Sequence, residues 1–416
     1  MREMKDSKIA WVGKIPQHWD SHPIYYYFLE HKHKNFLGLE QNLLSLSYGR
    51  IIRKDIAANE GLLPENFNSY NIVGPNDIVL RLTDLQNDKR SLRTGLVKER
   101  GIITSAYVTL RAKIELNSTF FHYLLHSYDT LKVLYNMGSG VRQGLNYEEL
   151  SKLMLIEPPL GEQKTIAEFL DAKCSEIDAL IADIQAQIET LEQYKRSTVI
   201  ETVTKGLNIN VPMKDSGIQW IGKIPETWGC IRGKYILNYI SKPVKDDDGV
   251  ITCFRDGEVT LRSKRREEGF TMADKEIGYQ GIDIGDLVVH GMDGFAGAIG
   301  ISDSRGKASP VLNVLETKQN KRYIMYFLRS MAYGDVFLAL ATGIRVRSCD
   351  LRWNKLAELF YPIPPMEEQS EIVKHIDRVI EETNEIIADK KEQIATLEAY
   401  KKSIIFEYVT GKKEVV

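Results

Sequence analysis

The stretch PPLGEQKTIAEFLDAKCSEIDALIADIQAQIETLEQYKRSTVIETVTKG, residues 158–206, decides the fold, because the chain contains it twice. Residues 364–416, PPMEEQSEIVKHIDRVIEETNEIIADKKEQIATLEAYKKSIIFEYVTGKKEVV, repeat its layout. Pro158-Pro159 falls on Pro364-Pro365, Glu162-Gln163 on Glu368-Gln369, Asp171 on Asp377, Leu191-Glu192 on Leu397-Glu398 and Tyr194 on Tyr400. Apolar residues step by three and four through the first copy at Cys174, Ile177, Leu180/Ile181, Ile184, Ile188 and Leu191, the spacing of a coiled-coil seam. The matching positions of the second copy are Ile380, Thr383, Ile387, Lys390, Ile394 and Leu397. Some 40 helical residues span on the order of 60 Å. Thr383 and Lys390 weaken the second seam, which argues against a zipper between chains and for antiparallel pairing of the two helices within one chain.

A second repeat opens each half. KDSKIAWVGKIPQHW, residues 5–19, matches KDSGIQWIGKIPETW, residues 214–228, with Trp11/Trp220, Gly13/Gly222, Pro16/Pro225 and Trp19/Trp228 in register. Gly and Pro mark a turn, and the tryptophans read as anchors that pin it to a core. Between the opening turn and the helix lie short β-type runs, beginning at IPQHWDSHPIYYYF, followed by the helical runs FFHYLLHSYDT and YIMYFLRSMAY. The organisation predicted is residues 1–157 (opening turn 5–19), long helix 158–206, residues 207–363 (opening turn 214–228) and long helix 364–416. Each block is mixed α/β, and the two differ in most exposed polar positions, as one scaffold reading two different things would.

The 416 residues are 43% hydrophobic and 27% charged, the composition of an ordinary globular protein. No apolar run reaches the roughly 18 to 20 residues of a membrane span and the N-terminus has no apolar signal core, so the cytoplasm is the expected location. The four cysteines lie far apart without a CxxC pair, which argues for reduced thiols and against a zinc site. Net charge is −2, distributed as +3, −4, +3 and −4 over block, helix, block and helix. Contact with nucleic acid would therefore fall on the blocks.

Enzyme chemistry finds little support. The glycine-rich run at residues 291–300 lacks GxxxxGK[ST] and reads as a tight turn with closely packed backbone. His122 and His126 are four apart but enclose no HExxH, and KDDDG at 245–249 reads as a solvated loop. Recognition remains. Arg pairs well with guanine O6/N7, and Gln and Asn with adenine N6/N7. The candidates are Arg142, Gln143 and Asn146 in the loop closing the first block and Arg345 and Arg347 in the loop closing the second, each loop beside a glycine. Arg81 and Arg93 in the first block and Arg262 and Arg265 in the second join them.

Two variable blocks, each opened by GKIPxxW and closed by a G-x-R loop, a PPxxEQ helix start and an LExYK(R/K)S helix, resemble the specificity subunit of type I restriction-modification systems. The resemblance covers essentially the whole chain. It implies an α+β fold, with two mixed α/β target-recognition domains separated by two long antiparallel coiled-coil helices in a pseudo-twofold internal repeat. It implies a non-catalytic subunit reading an asymmetric bipartite site in double-stranded DNA. Methyltransferase subunits and a restriction-translocase subunit would be its partners, with no membrane involved. Docking is expected at the helix starts, Glu162, Gln163, Glu368 and Gln369. The chain itself would hold no metal or cofactor; S-adenosylmethionine, ATP and magnesium would belong to the partners. The competing readings are a self-contained methyltransferase or restriction enzyme with an unrecognised active site, and a coiled-coil scaffold that does not bind DNA.

Overall fold

The computed structural model describes residues 2–55, 66–85, 92–137, 144–265, 277–340 and 351–415. The chain divides into two compact units, Met1–Ile184 with Glu392–Val416, and Gln185–Lys391. Both boundaries fall inside long helices, Leu160–Lys205 of 46 residues and Met366–Val409 of 44. Each unit thus holds one globular block and a part of each helix.

In the first unit a four-stranded antiparallel sheet runs in the order Phe28–Glu30, Val108–Ala112, Ile78–Leu80, Thr94–Leu96. The helix Ser118–Thr130 starts where Asn117 Oδ1 accepts the Phe120 N–H at 2.9 Å, satisfying an otherwise orphaned donor. Phe120, Phe121, Leu124 and Leu125 of this helix are fully buried in one core with Ile78, Leu80 and Leu110. Each such side chain contributes about 1.5–3 kcal/mol over an exposed position, so this face is the main attachment of the helix. The strand Asp20–Pro23 pairs antiparallel with Met154–Glu157, so the chain enters and leaves the block side by side. Part of the run expected as strand, Ile24–Tyr27, is instead one helical turn, with Ile24 and Tyr27 three apart and both buried.

The second unit repeats this plan. Its sheet runs Leu237–Ile240, Leu312–Thr317, Leu287–His290, Ile299–Ile301, its helix is Lys321–Tyr333 behind an Asn320 cap, and Gly229–Arg232 pairs with Phe360–Ile363 to close the block. The glycine-rich run is a packed turn: Gly297 has φ +96, and a Cβ on Gly300 would stand 1.9 Å from the Gly257 carbonyl oxygen. The solvated-loop reading of KDDDG fails at Asp248. This side chain is buried, and Arg305 grips it through Nε at 3.0 Å and Nη2 at 2.9 Å.

Within each unit the two long helices run antiparallel. In the first, Leu170 and Cys174 share a core with Ile405 and Val409, the Phe169 and Tyr408 rings lie 4.4 Å apart, and Lys401 Nζ donates to Asp178 at 2.7 Å. In the second, Val199 and Val203 share a core with Ile372 and Ile376, and Lys195 Nζ donates to Asn384 Oδ1 at 2.7 Å. Rising numbers on one helix meet falling numbers on the other. Thr383 is buried in the seam, and Lys390 is accommodated because its ammonium reaches Gln187 Oε1. Leu180 is 49% exposed, so the seam passes through Ile181 instead. Cys174, Cys230 and Cys253 are free thiols. Among the described residues no helix is long and apolar enough to cross a membrane.

Candidate DNA interface

The two sequence repeats meet in space, and that meeting positions the blocks. Trp19 Nε1 donates to Glu162 at 3.0 Å, and Trp228 Nε1 donates to Glu368 at the same distance. The opening turn of each unit is thereby tied to the first turn of a long helix. The end of the other long helix closes the same clasp. A Cβ on Gly411 (φ +68) would meet Pro16 and Trp19, and one on Gly206 (φ +76) would meet Glu368 and Trp228. Burial alone would raise the Glu162 carboxyl, but hydrogen bonds from His18, Trp19 and Arg2 overcome it and hold it below the usual carboxylate range.

The neighbouring glutamines overturn part of the docking expectation. Gln163 and Gln369 are 2% and 0% exposed. Gln163 accepts the Asn117 N–H at 2.9 Å and donates to the Pro158 carbonyl; Gln369 accepts the Asn320 N–H at 3.0 Å and donates to the Pro364 carbonyl. Each locks the cap of its block's helix to the start of a long helix, and neither side chain is open to a partner. Tyr123 OH on Asp171 at 2.8 Å and Tyr326 OH on Asp377 at 2.5 Å add a second matched tie. Sequence reasoning saw Asp171 align with Asp377 but not the tyrosines that reach them.

The DNA candidates fall into three groups. Arg142, Gln143, Arg345 and Arg347 lie outside the described residues. Arg93 and Asn146 are engaged internally. Arg93 is fully buried, its guanidinium donating to the carbonyls of Arg81 at 3.2 Å, Thr83 at 2.8 Å and Asp84 at 3.0 Å, so it fastens a loop and cannot touch DNA. The energetic reason is that a buried cation must find partners, and these carbonyls supply acceptors for its N–H groups while the Arg93 backbone N–H donates to the buried Asp129 at 2.6 Å. Asn146 caps the turn Tyr147–Leu150, accepting the Glu149 N–H at 3.0 Å.

Arg81, Arg262 and Arg265 form the third group, at or near the surface. Arg262 and Arg265 bound the short helix Arg262–Arg265 at the rim of an open pocket of about 590 Å³. Arg255 and His290, which the sequence did not single out, line it as well. In the first unit, exposed arginines pair with half-buried carboxylates, Arg50 with Asp178 at 2.6 Å, Arg53 with Glu99 and Arg100 with Glu40 at 3.0 Å. Such pairs are worth about 0–1 kcal/mol, so exchanging the carboxylate for a phosphate costs little.

Comparison with known proteins decides what this frame is. The family described as type I restriction modification DNA specificity domain matches at residues 93–190 and again at 279–396, together more than half of the chain. The chain belongs to this family. Each match runs from inside a block into the long helix that follows, so the specificity domain as the family defines it is block plus helix. The type I restriction enzyme MjaVIII specificity subunit of Methanocaldococcus jannaschii is 27% identical over 83% of this chain and 80% of its own length. The EcoBI specificity subunit of Escherichia coli is 24% identical over 71% of this chain and 66% of its own. A solved structure, titled for complex assembly and conformational transition of the type I R-M system, superposes with a TM-score of 0.67 at 14% identity, covering 96% of this chain and 99% of that one. The HsdS subunit from Thermoanaerobacter tengcongensis gives 0.50 at 14% identity over 96% and 98%. At such identity these two bear on the fold.

Proposed function

We propose that this chain is the DNA-specificity subunit of a type I restriction-modification complex, reading an asymmetric bipartite duplex target with one half-site per block. The observation that carries it is the same frame built twice around different surfaces. The Trp–Glu clasp, the Gln lock and the Tyr–Asp tie recur with matching geometry, while the exposed segments diverge. After the matched bridges Lys34 to Asn71 and Lys242 to Gly281, the first block presents Phe36, Leu37 and Leu39 at 76%, 81% and 79% exposure. The second has the charged run around Lys245 at that place.

In this reading the subunit has no chemistry of its own and acts in the cytoplasm. Methyltransferase subunits supply S-adenosylmethionine chemistry on adenine, and a restriction subunit supplies ATP-driven, magnesium-dependent cleavage. Arg81, Arg262 and Arg265, with Arg142, Gln143, Arg345 and Arg347 of the closing loops, contact the duplex. A nearly neutral chain binds DNA weakly alone, and partners enclosing the duplex add the missing phosphate contacts. Mapping methylated adenines in a genome expressing this chain with a methyltransferase partner tests it. One asymmetric motif interrupted by unspecified bases is expected, and a continuous or palindromic motif would refute it. Purified chain incubated alone with DNA and S-adenosylmethionine should transfer no methyl group.

A further inference from the structure

Each block carries a loop that is mounted in the same way and tipped differently. In the first block it runs from the bridge of Lys34 with Asn71 to the bridge of Leu43 with Ile102, and in the second from Lys242 with Gly281 to Val250 with Lys307. Equivalent arginines hold the far side of both. Arg100, just before the strand Gly101–Ile103, donates from Nε to Glu40 at 3.0 Å, and Arg305, just before Gly306–Ala308, donates from Nε to Asp248 at 3.0 Å. The first loop is also closed on itself. Buried Asn35 donates from Nδ2 to the Glu40 carbonyl at 2.9 Å and accepts the Glu40 N–H at 3.2 Å, while the Gly38 N–H reaches the Asn35 carbonyl at 2.8 Å. Gly38 takes φ +64, in the left-handed region that glycine enters without strain.

Phe36, Leu37 and Leu39 project from this closed turn into solvent, where they add nothing to the core. A cluster of large apolar side chains held in that position marks a contact site. The equivalent tip of the second loop carries Lys245, Asp246 and Asp247, all exposed. A partner that meets both blocks alike finds no common surface at these tips, whereas two different half-sites require them to differ. The run His31, Lys32, His33, Lys34 leads into the first tip, and exposed Lys32 can exchange its Glu30 partner for a phosphate at little cost. We propose that Phe36, Leu37 and Leu39 select a thymine in the half-site of the first block by packing on its C5 methyl. That methyl is the apolar group a base pair shows in the major groove. Against a guanine O6 or the amine of adenine or cytosine, the same side chains would strip water and return no hydrogen bond. The inference rests on the specificity-subunit reading and deepens it.

The test uses the full complex with its methyltransferase partner, and the half-site of the first block is the one that survives exchange of residues 230–363. Methylation mapping with Phe36→Ser and with Leu37→Ser should show one thymine position of that half-site relaxed. The other half-site should stay unchanged, which also reports that the variants fold and assemble. On synthetic duplexes, deoxyuridine placed at each thymine of the half-site in turn removes the methyl and nothing else. At one position the wild-type complex should bind about fourfold more weakly, the worth of one buried apolar carbon, and the variant complexes should bind both duplexes equally. A wild-type complex that ignores the methyl at every position overturns the assignment, and is the result a wedge between base steps would give. Equal weakening in wild type and variants overturns it too, because the methyl then belongs to another contact. So do variants that assemble and keep both half-sites intact, and variants that keep both but shed methyltransferase subunits, the mark of a protein contact. A wild-type complex with no bipartite motif would instead break the underlying reading. The wild-type deoxyuridine series needs no variant, so it decides the matter even where serine prevents assembly.

Discussion

Trp228 and Glu368 meet across 140 positions of sequence at a half-buried junction, and a hydrogen bond to a charged group is worth about 1.5–3 kcal/mol. Trp228→Phe keeps the ring and removes the donor, so the urea midpoint should fall by that equivalent. Trp19→Phe should cost less, because Arg2 and His18 still hold Glu162, and Glu368→Gln should cost less than Trp228→Phe, because it keeps an acceptor oxygen. An unchanged midpoint in both tryptophan variants would leave the clasp without energetic weight. His122 and His126 give a second prediction at this scale. Burial pushes their imidazoles down to about 4 and about 3, and His122 Nε2 and His126 Nδ1 have no hydrogen-bond partner. An unfolded histidine takes a proton near pH 6.5, whereas the folded pair stays neutral far below that. Stability is therefore whole above pH 6.5 and declines as the solution is acidified through about pH 4, by on the order of 3 kcal/mol for His122 alone. Urea titrations between pH 7.5 and 4.5 should show this limb, and His126→Leu should make it shallower; an equal slope in the variant would assign the acid loss to other groups.

The long helices were legible in the sequence because a seam of period three and four over many turns has few other readings. The second copy supplied the partner, and the weakened Lys390 position pointed to pairing within the chain. What the sequence did not reveal was tertiary: that Arg93 and Asp248 are interior charges, that Gln163 faces inward, and that Tyr123 reaches Asp171. Each depends on a partner brought near by folding, and a charged or amide side chain gives no local signal of whether water or a carbonyl will solvate it. The register of the pair makes a prediction about the element itself. Asp178 meets Lys401 in the first unit, and Gln187 meets Lys390 in the second. Removing seven residues from one helix alone mismatches every later contact, so assembly should fail. Removing 180–186 and 392–398 together keeps both sets of contacts in step and shortens each helix by about 10 Å. In the specificity-subunit reading, methylation mapping should then return the same half-sites with about three fewer unspecified base pairs between them, at about 3.4 Å per pair. An unchanged gap at full activity would remove the helices as the ruler.

At the scale of the whole molecule, two blocks of different surface hang on a frame whose joints are the same, and that arrangement makes reading divisible. The joints lie at the edges of the exchangeable part of the block: Trp228 ends the opening turn, Gln369 stands just after the block, and the closing strands Gly229–Arg232 and Phe360–Ile363 pair with each other. Exchanging residues 230–363 for the equivalent block of another family member carries both closing strands almost whole and leaves Trp228, Glu368 and Gln369 in place. The first unit shares none of the exchanged residues. Its half-site should persist unchanged in the methylation map, with the same gap, while the other half becomes that of the donor. Losing both halves together while the complex still assembles would mean that recognition is a property of the joined surface, and the repeat would then describe ancestry and not mechanism. Raising salt adds a discriminating arm. A replacement block that neutralises more or fewer phosphates should steepen or flatten the slope of log affinity against log salt by roughly 0.9 per phosphate. It should do so without altering which bases the untouched block selects, because bonds to phosphate position the duplex and bonds to base edges choose the sequence.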